Sequence, residues 1–233
     1  MPHFTLYALT GHWGPNPIKV AAFLEQFGFD YHVKLLDMNS TDKETGVKGA
    51  DYLEVCPNGR TPALIDHKNN DFIVWESGAI LQYLANKYDT EGKYGGKTPE
   101  EKAIIDEWLF FQATGLSVPQ GQLFYAKTSW KGKYDEDAPK NVIRRFSDEL
   151  QRVLAVFEQQ LKKQTEKHGE ERAWLALDRI TVADFTTLAW LGLLPNYGEP
   201  LEVDLAKFPY IAKYIERCEA LPAVKAVRAQ INH

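Results

Sequence analysis

A chain of 233 residues with 44% apolar and 25% charged side chains has the composition of an ordinary globular protein, folded as one large domain or two small ones. Its formal charge of −5 supplies no general attraction for nucleic acid or an anionic membrane. No apolar run approaches the roughly 20 residues that span a bilayer. Cys56 and Cys218 are the only cysteines, which excludes a disulfide framework or a Cys-x-x-Cys zinc site, and no metal is expected. The opening Met1-Pro2-His3-Phe4 lacks the basic end and apolar stretch of a secretion signal, so a cytoplasmic location is expected.

Residues 4–9 are short and apolar enough for a buried strand. Asn16 followed by Pro17 reads as an N-cap with proline at the first helical position. Ile18, Ala21, Ala22 and Leu24 continue that helix, and Gly28 stops it. A second strand over 31–36 completes a βαβ unit. After a polar stretch from Asn39 to Gly49 come strands at 62–65 and 72–75 and a helix from Ser77 to Tyr88. This order, β-α-β then β-β-α, is that of a thioredoxin-like α/β domain, placed at residues 1–89. Residues 90–98, with Gly92, Gly95 and Gly96, form a linker.

From residue 99 to 233 the pattern is all-helical. Thr98-Pro99-Glu100-Glu101 is a capping box, and the helix it starts is bent at Gly115 and Pro119. Ile143, Phe146, Leu150, Val153, Phe157 and Leu161 form the stripe of a longer helix. Thr181-Val182-Ala183-Asp184 is a second capping box. Pro222 divides two helices in the tail.

Two stretches carry chemistry. In Asn58-Gly59-Arg60-Thr61-Pro62-Ala63-Leu64 a proline interrupts an apolar strand, where it cannot donate to a sheet ladder. In Trp75-Glu76-Ser77-Gly78-Ala79-Ile80 a carboxylate and a hydroxyl stand at a helix mouth, whose free N–H groups suit an anion. Together they describe a pocket for a small zwitterion with a peptide-like backbone, such as glutathione. Each feature has a plainer reading: Pro62 as a strand end, Glu76-Ser77 as a capped helix with one solvated acid, and Asn16 as an N-cap alone.

These residues resemble the glutathione transferase superfamily, above all the fungal transferases related to the yeast nitrogen-catabolite regulator and the bacterial nu-class enzymes. The matching runs are Gly14-Pro15-Asn16-Pro17-Ile18-Lys19-Val20, Pro57 to His67 and Trp75 to Leu81. In the helical part they are Trp108-Leu109-Phe110-Phe111-Gln112, Gly121-Gln122 and Thr181 to Asp184.

The resemblance implies a thioredoxin-like domain, an all-helical domain, a homodimer, and glutathione as co-substrate with no permanently bound cofactor. It implies a cis bond before Pro62, with the Thr61 backbone open to the cysteinyl unit. Glu76 would pair with the γ-glutamyl ammonium and the Ser77 region with its carboxylate. The Asn16 amide would donate to the sulfur as the catalytic group, with Trp13 walling the sulfur site. Lys48, with Lys43 as second choice, and Arg60 are candidates for the glycyl carboxylate. Phe111, Gln122 and Arg145 are expected on the second-substrate side. Tyr7 is expected to be a packed aromatic and His12 a surface residue.

The expected activity is conjugation of glutathione to small apolar electrophiles. A nu-class-like disulfide reductase is the alternative, although Gly14 stands where those relatives carry a threonine that helps hold the sulfur. A non-catalytic regulator or scaffold is the third reading. The yeast regulator's Asn- and Gln-rich arm has no counterpart before the strand at residue 4, which counts against that role.

Overall fold

A computed structural model describes residues 2–231. By their contacts these divide into two units, one reaching Gly95 and resuming at Ala220, the other spanning Gly96–Glu219.

In the first unit, β1 (Phe4–Leu9) is apolar on both faces, and Phe4, Leu6, Tyr7 and Ala8 are buried. Such a run suits a strand inside a sheet that is covered on both sides. Helix α1 (Pro15–Phe27) and β2 (Tyr31–Leu36) follow, with β2 parallel to β1. A short α2 (Ala50–Val55), unmarked by any apolar periodicity, precedes β3 (Ala63–Asp66), β4 (Phe72–Trp75) and α3 (Ser77–Tyr88). The sheet order is β2-β1-β3-β4, with β3 antiparallel to both of its neighbours.

Three registers decide where chemistry can gather. Leu9 pairs with Leu36, Leu6 with Leu64, and Ala63 with Trp75. The end of β1, the start of β3 and the end of β4 therefore lie at one end of the sheet. The loop into α1, the Thr61-Pro62 step and the Glu76-Ser77 corner all leave from that end.

At the opposite end Asp66 is fully buried and accepts from Tyr83 Oη at 2.7 Å and Tyr88 Oη at 2.5 Å. Burial pushes its carboxyl up, but these hydroxyls, His3 and the Lys68 N–H outweigh that and hold it below the usual carboxylate range. Asp66 thereby pins β3 to α3. The Asp89 carboxylate accepts from the N–H groups of Lys93, Tyr94 and Gly95, so the glycine-rich segment after α3 is an ordered turn.

The terminal helix α11 (Pro222–Ile231) packs on α1. The reading that assigned the whole of 99–233 to one helical domain does not separate this helix. It belongs to the first unit because Ala223, Val224 and Val227 bury themselves there.

In the second unit, α4 (Pro99–Phe110) runs through a π-helical turn, Phe111–Leu116, into α5 (Ser117–Thr128). The expected bend near Gly115 takes this form: a Cβ on Gly115 would crowd the Phe111 ring at 3.0 Å. The short α6 (Trp130–Tyr134) leads to α7 (Lys140–His168), whose buried stripe includes Leu150, Val153, Phe157 and Leu161. Helices α8 (Val182–Leu191), α9 (Leu194–Tyr197) and α10 (Pro209–Glu219) complete the unit. The Thr181–Asp184 capping box is present.

Candidate functional site

The mouth of α1 begins two residues earlier than the sequence suggests. Pro15 is the first helical residue and Gly14, at φ 75°, is the N-cap; Asn16 lies inside the first turn. The cap reading of Asn16 is therefore corrected: φ 75° suits glycine, and Pro15 already has the fixed φ that starts a helix. Because Pro15 and Pro17 carry no N–H, two first-turn donors are missing from this helix end. Asn16, half-buried between the two prolines, keeps a backbone N–H in that turn and adds a side-chain amide. In the preceding loop Trp13 is buried and His12 exposed.

The Thr61–Pro62 bond is cis. Ala63 is the first residue that pairs with β4, opposite Trp75, so the Thr61-Pro62 step enters β3 at the end of the sheet where β4 leaves for Glu76 and Ser77. Thr61 is half-buried and stands outside both ladders.

Glu76 caps α3 from φ 71°, ψ 118°, a conformation that side chains rarely adopt, and its carboxylate is exposed. Ser77 is the first helical residue, not the N-cap, and no side-chain bond caps the helix. Its buried hydroxyl has a different partner, Lys19 Nζ at 3.1 Å.

Lys19 is the residue at this corner that sequence reasoning missed. It lies on α1 one turn after Asn16 and is 3% exposed. Burial pulls its ammonium down to about 7, against the upward pull of Glu76. The packing reveals it: Pro17 to Leu24 are buried without a break, and a helix buried all round leaves no solvent face for a lysine in its midst.

Lys48 reaches the same end of the sheet. Its Nζ donates to the Asn58 carbonyl at 3.0 Å, two residues before Arg60. Asp42 ties its loop by accepting from the Glu44 and Thr45 N–H groups, and Gly46 and Gly49 pass too close to backbone for a side chain. Lys43 instead faces Asp51 at 3.7 Å. The Arg60 carbonyl accepts from Tyr52 Oη at 2.7 Å. Tyr7 is packed in the core against Tyr52, its hydroxyl pushed up by burial.

The three residues expected on the second-substrate side lie in the second unit. The Phe111 ring packs on Trp108 and Phe157, with centroids 5.7 and 5.2 Å away. Gln122 is exposed on α5. Arg145 is exposed on α7 and faces Glu149 at 3.6 Å.

A separate hollow at the other end of the sheet is lined by Pro2, Thr5, Asp30, Tyr31, His32 and His67. There Thr5 Oγ1 lies 2.8 Å from His67 Nε2, and His67 Nδ1 lies 2.6 Å from Asp71. Asp71 is 74% exposed, so its hold on the imidazole is screened by water, and the chain is not assigned as a reactive centre. Among the described residues no His, Cys, Asp and Glu group could hold a metal ion, and no helix is long and apolar enough to cross a membrane.

Comparison with known proteins agrees with this geometry. Residues 2–86 match the family model for the glutathione S-transferase N-terminal domain, and residues 121–222 match that for the C-terminal domain. Glutathione S-transferase 2 of Schizosaccharomyces pombe is 37% identical over 97% of this chain and 95% of its own length. Among solved structures, the glutathione transferase URE2P6 from Phanerochaete chrysosporium, in complex with oxidized glutathione, is 35% identical. It superposes with a TM-score of 0.83 over 99% of this chain and 97% of its own. Ure2p5 from the same fungus, cocrystallized with 1-(S-glutathionyl)-2,4-dinitrobenzene, is 30% identical with a TM-score of 0.81, covering 100% and 96%. A four-stranded α/β unit, a helical unit and matches of this length lead to one conclusion: the chain belongs to the glutathione S-transferase family.

Proposed function

We propose that the protein transfers the glutathione thiolate to small apolar electrophiles. One observation carries the reading: Asn16, the Thr61-Pro62 step and the Glu76-Ser77 corner leave from the same end of the sheet. In this reading the Thr61 backbone pairs with the cysteinyl unit, as a peptide adds to a strand. Glu76 receives the γ-glutamyl ammonium. The Ser77 hydroxyl and the N–H groups of α3 hold the adjacent carboxylate. Lys48 takes the glycyl carboxylate with help from Arg60, and Trp13 walls the sulfur.

The chemical step begins with ionisation. A thiol of ordinary pKa near 8.5 is only a few per cent thiolate at neutral pH. A hydrogen bond from the Asn16 amide to the anion contributes about 1.5–3 kcal/mol, and the helix end about 0.3–1 kcal/mol. At about 1.4 kcal/mol per unit, these lower the thiol by roughly one to three units. An amide is no base, so water or buffer takes the proton. The bound conjugate in the Phanerochaete relative supports the transferase reading. Phe111, Gln122 and Arg145 are assigned to the electrophile side, and the protein to the cytoplasm as a homodimer.

Calorimetric titration with glutathione tests the binding reading, which fails if no heat appears up to millimolar ligand. Asn16→Ala is expected to lower turnover of a chlorinated nitrobenzene by roughly tenfold or more; unchanged turnover would place sulfur activation elsewhere. Disulfide reduction is the second reading, supported by the relative that holds oxidized glutathione. Faster turnover of a hydroxyethyl disulfide than of the nitrobenzene would favour it.

A further inference from the structure

The Lys19–Ser77 bond joins two helix starts at the proposed ligand site, and its chemistry is directional. A serine hydroxyl has one proton to give and two lone pairs to receive. When the ammonium of Lys19 donates to Ser77 Oγ at 3.1 Å, that oxygen is occupied as an acceptor and its own proton is left for another acceptor. An amine, by contrast, carries a lone pair that can take the serine proton and turn it away from a ligand. The bond thus reads the charge of a buried nitrogen into the orientation of a hydroxyl.

We propose that Lys19 is a positioning residue for glutathione: its ammonium aims the Ser77 proton at the γ-glutamyl carboxylate, and the protein takes up a proton at Lys19 as the tripeptide binds. This rests on the glutathione reading of Ser77 and Glu76. The elements packed on α1 leave few groups to perturb Lys19. Strand β1 carries no charged residue. Glu25, on Lys19's own helix, is engaged by Tyr31 and Gln230. On α3, Lys87 lies in the last turn, against Tyr88. On α11, Lys225 is exposed and Arg228 half-buried. Glu76 is the charged group that acts on it, and it favours the ammonium. In the free protein burial leaves the nitrogen near the midpoint of titration at neutral pH. An arriving carboxylate raises its proton affinity further. Binding strength supplied this way is fully present below pH about 7 and declines as pH rises through the titration of the complex.

S-Methylglutathione is the probe, because it keeps the tripeptide and has no thiol to ionise. Calorimetry in two buffers of different ionisation enthalpy, at about pH 8, counts the protons exchanged. The wild-type protein is expected to take up a large fraction of one proton. Its affinity should fall by up to roughly tenfold per pH unit above pH about 7. Lys19→Met should bind more weakly and lose most of the uptake; any contribution from the ligand's own ammonium is common to both proteins. Lys19→Arg, charged at every pH used, should restore affinity and flatten the pH profile. Should Lys19→Met fail to fold, the wild-type proton count and the arginine variant still decide. Binding without proton exchange, or uptake that persists in either variant, overturns this inference and leaves the glutathione site standing. No binding of S-methylglutathione or of glutathione by the wild type removes both.

Discussion

Two residues at the α3 corner are held in states that folding alone would avoid. Glu76 sits at φ 71°, where a side chain costs about 1–3 kcal/mol. Glu76→Gly relieves that strain at the expense of backbone entropy, so the variant is expected to gain about 1 kcal/mol of stability. It should also bind glutathione at least roughly tenfold more weakly, having lost its carboxylate. Urea denaturation with parallel calorimetry checks both, and a variant that is less stable and binds normally contradicts the assignment. Lys19 is the second case. Its ammonium is pulled from 10.5 to about 7, so between these values the unfolded chain binds a proton that the folded protein has released. Stability from this group therefore rises with pH across that window. Lys19→Met removes the penalty, whose ceiling is on the order of 4–5 kcal/mol at about 1.4 kcal/mol per unit. The variant should be more stable than the wild type at neutral pH, with the gap closing toward pH about 10. A gap that does not change with pH would place the buried charge elsewhere.

At the scale of elements, the capping box at α8 shows why local signals are legible. Asp184 is fully buried and accepts from the Thr181 N–H at 2.8 Å, the Leu175 N–H at 2.9 Å and Tyr214 Oη at 3.2 Å. Burial pushes its carboxyl up to about 6 against these donors, which leaves it the ionised acceptor at neutral pH. Asp184→Ala strands two backbone donors and a phenol and is expected to cost about 3 kcal/mol or more. Thr181→Ala, which loses one cap bond, should cost about 1 kcal/mol. Equal and small losses in denaturation midpoints would show that the box is incidental. The spacing of Thr181 and Asp184 announces the cap, as proline and glycine announce α1 and its end. What escaped the sequence is set by partners distant along the chain. Helix α2 lacks periodicity, the α1 cap passed from Asn16 to Gly14, and the Ser77 hydroxyl bonds a lysine 58 residues away. Asn16, Thr61 and Glu76 could be picked out by motif, whereas Lys19 needed the packing around it to be noticed.

For the whole molecule the open question is association. Strand β4 forms one edge of the sheet, and Phe72, Ile73 and Trp75 on it are 46%, 40% and 39% exposed. Natural sheets usually cover or charge such an edge, because an apolar one invites another chain. Here three large apolar side chains stand on four residues, whereas single exposed apolar residues need no explanation. The proposed homodimer would bury this strand. Phe72 is at the end of β4 away from Glu76 and pairs with Asp66 in β3, so it tests the edge without touching the glutathione residues. Sedimentation at micromolar concentration should give a dimer for the wild type and a shift toward monomer for Phe72→Glu, with calorimetric binding of glutathione retained in both. A monomeric wild type would remove the dimer from the proposal and leave the edge apolar for another reason. A dimer unmoved by Phe72→Glu would place the contact on another surface. Binding lost together with the dimer would mean that the glutathione residues depend on the partner for their arrangement, which the bonds within the first unit argue against: Lys19 to Ser77 and Lys48 to Asn58 both close inside one chain.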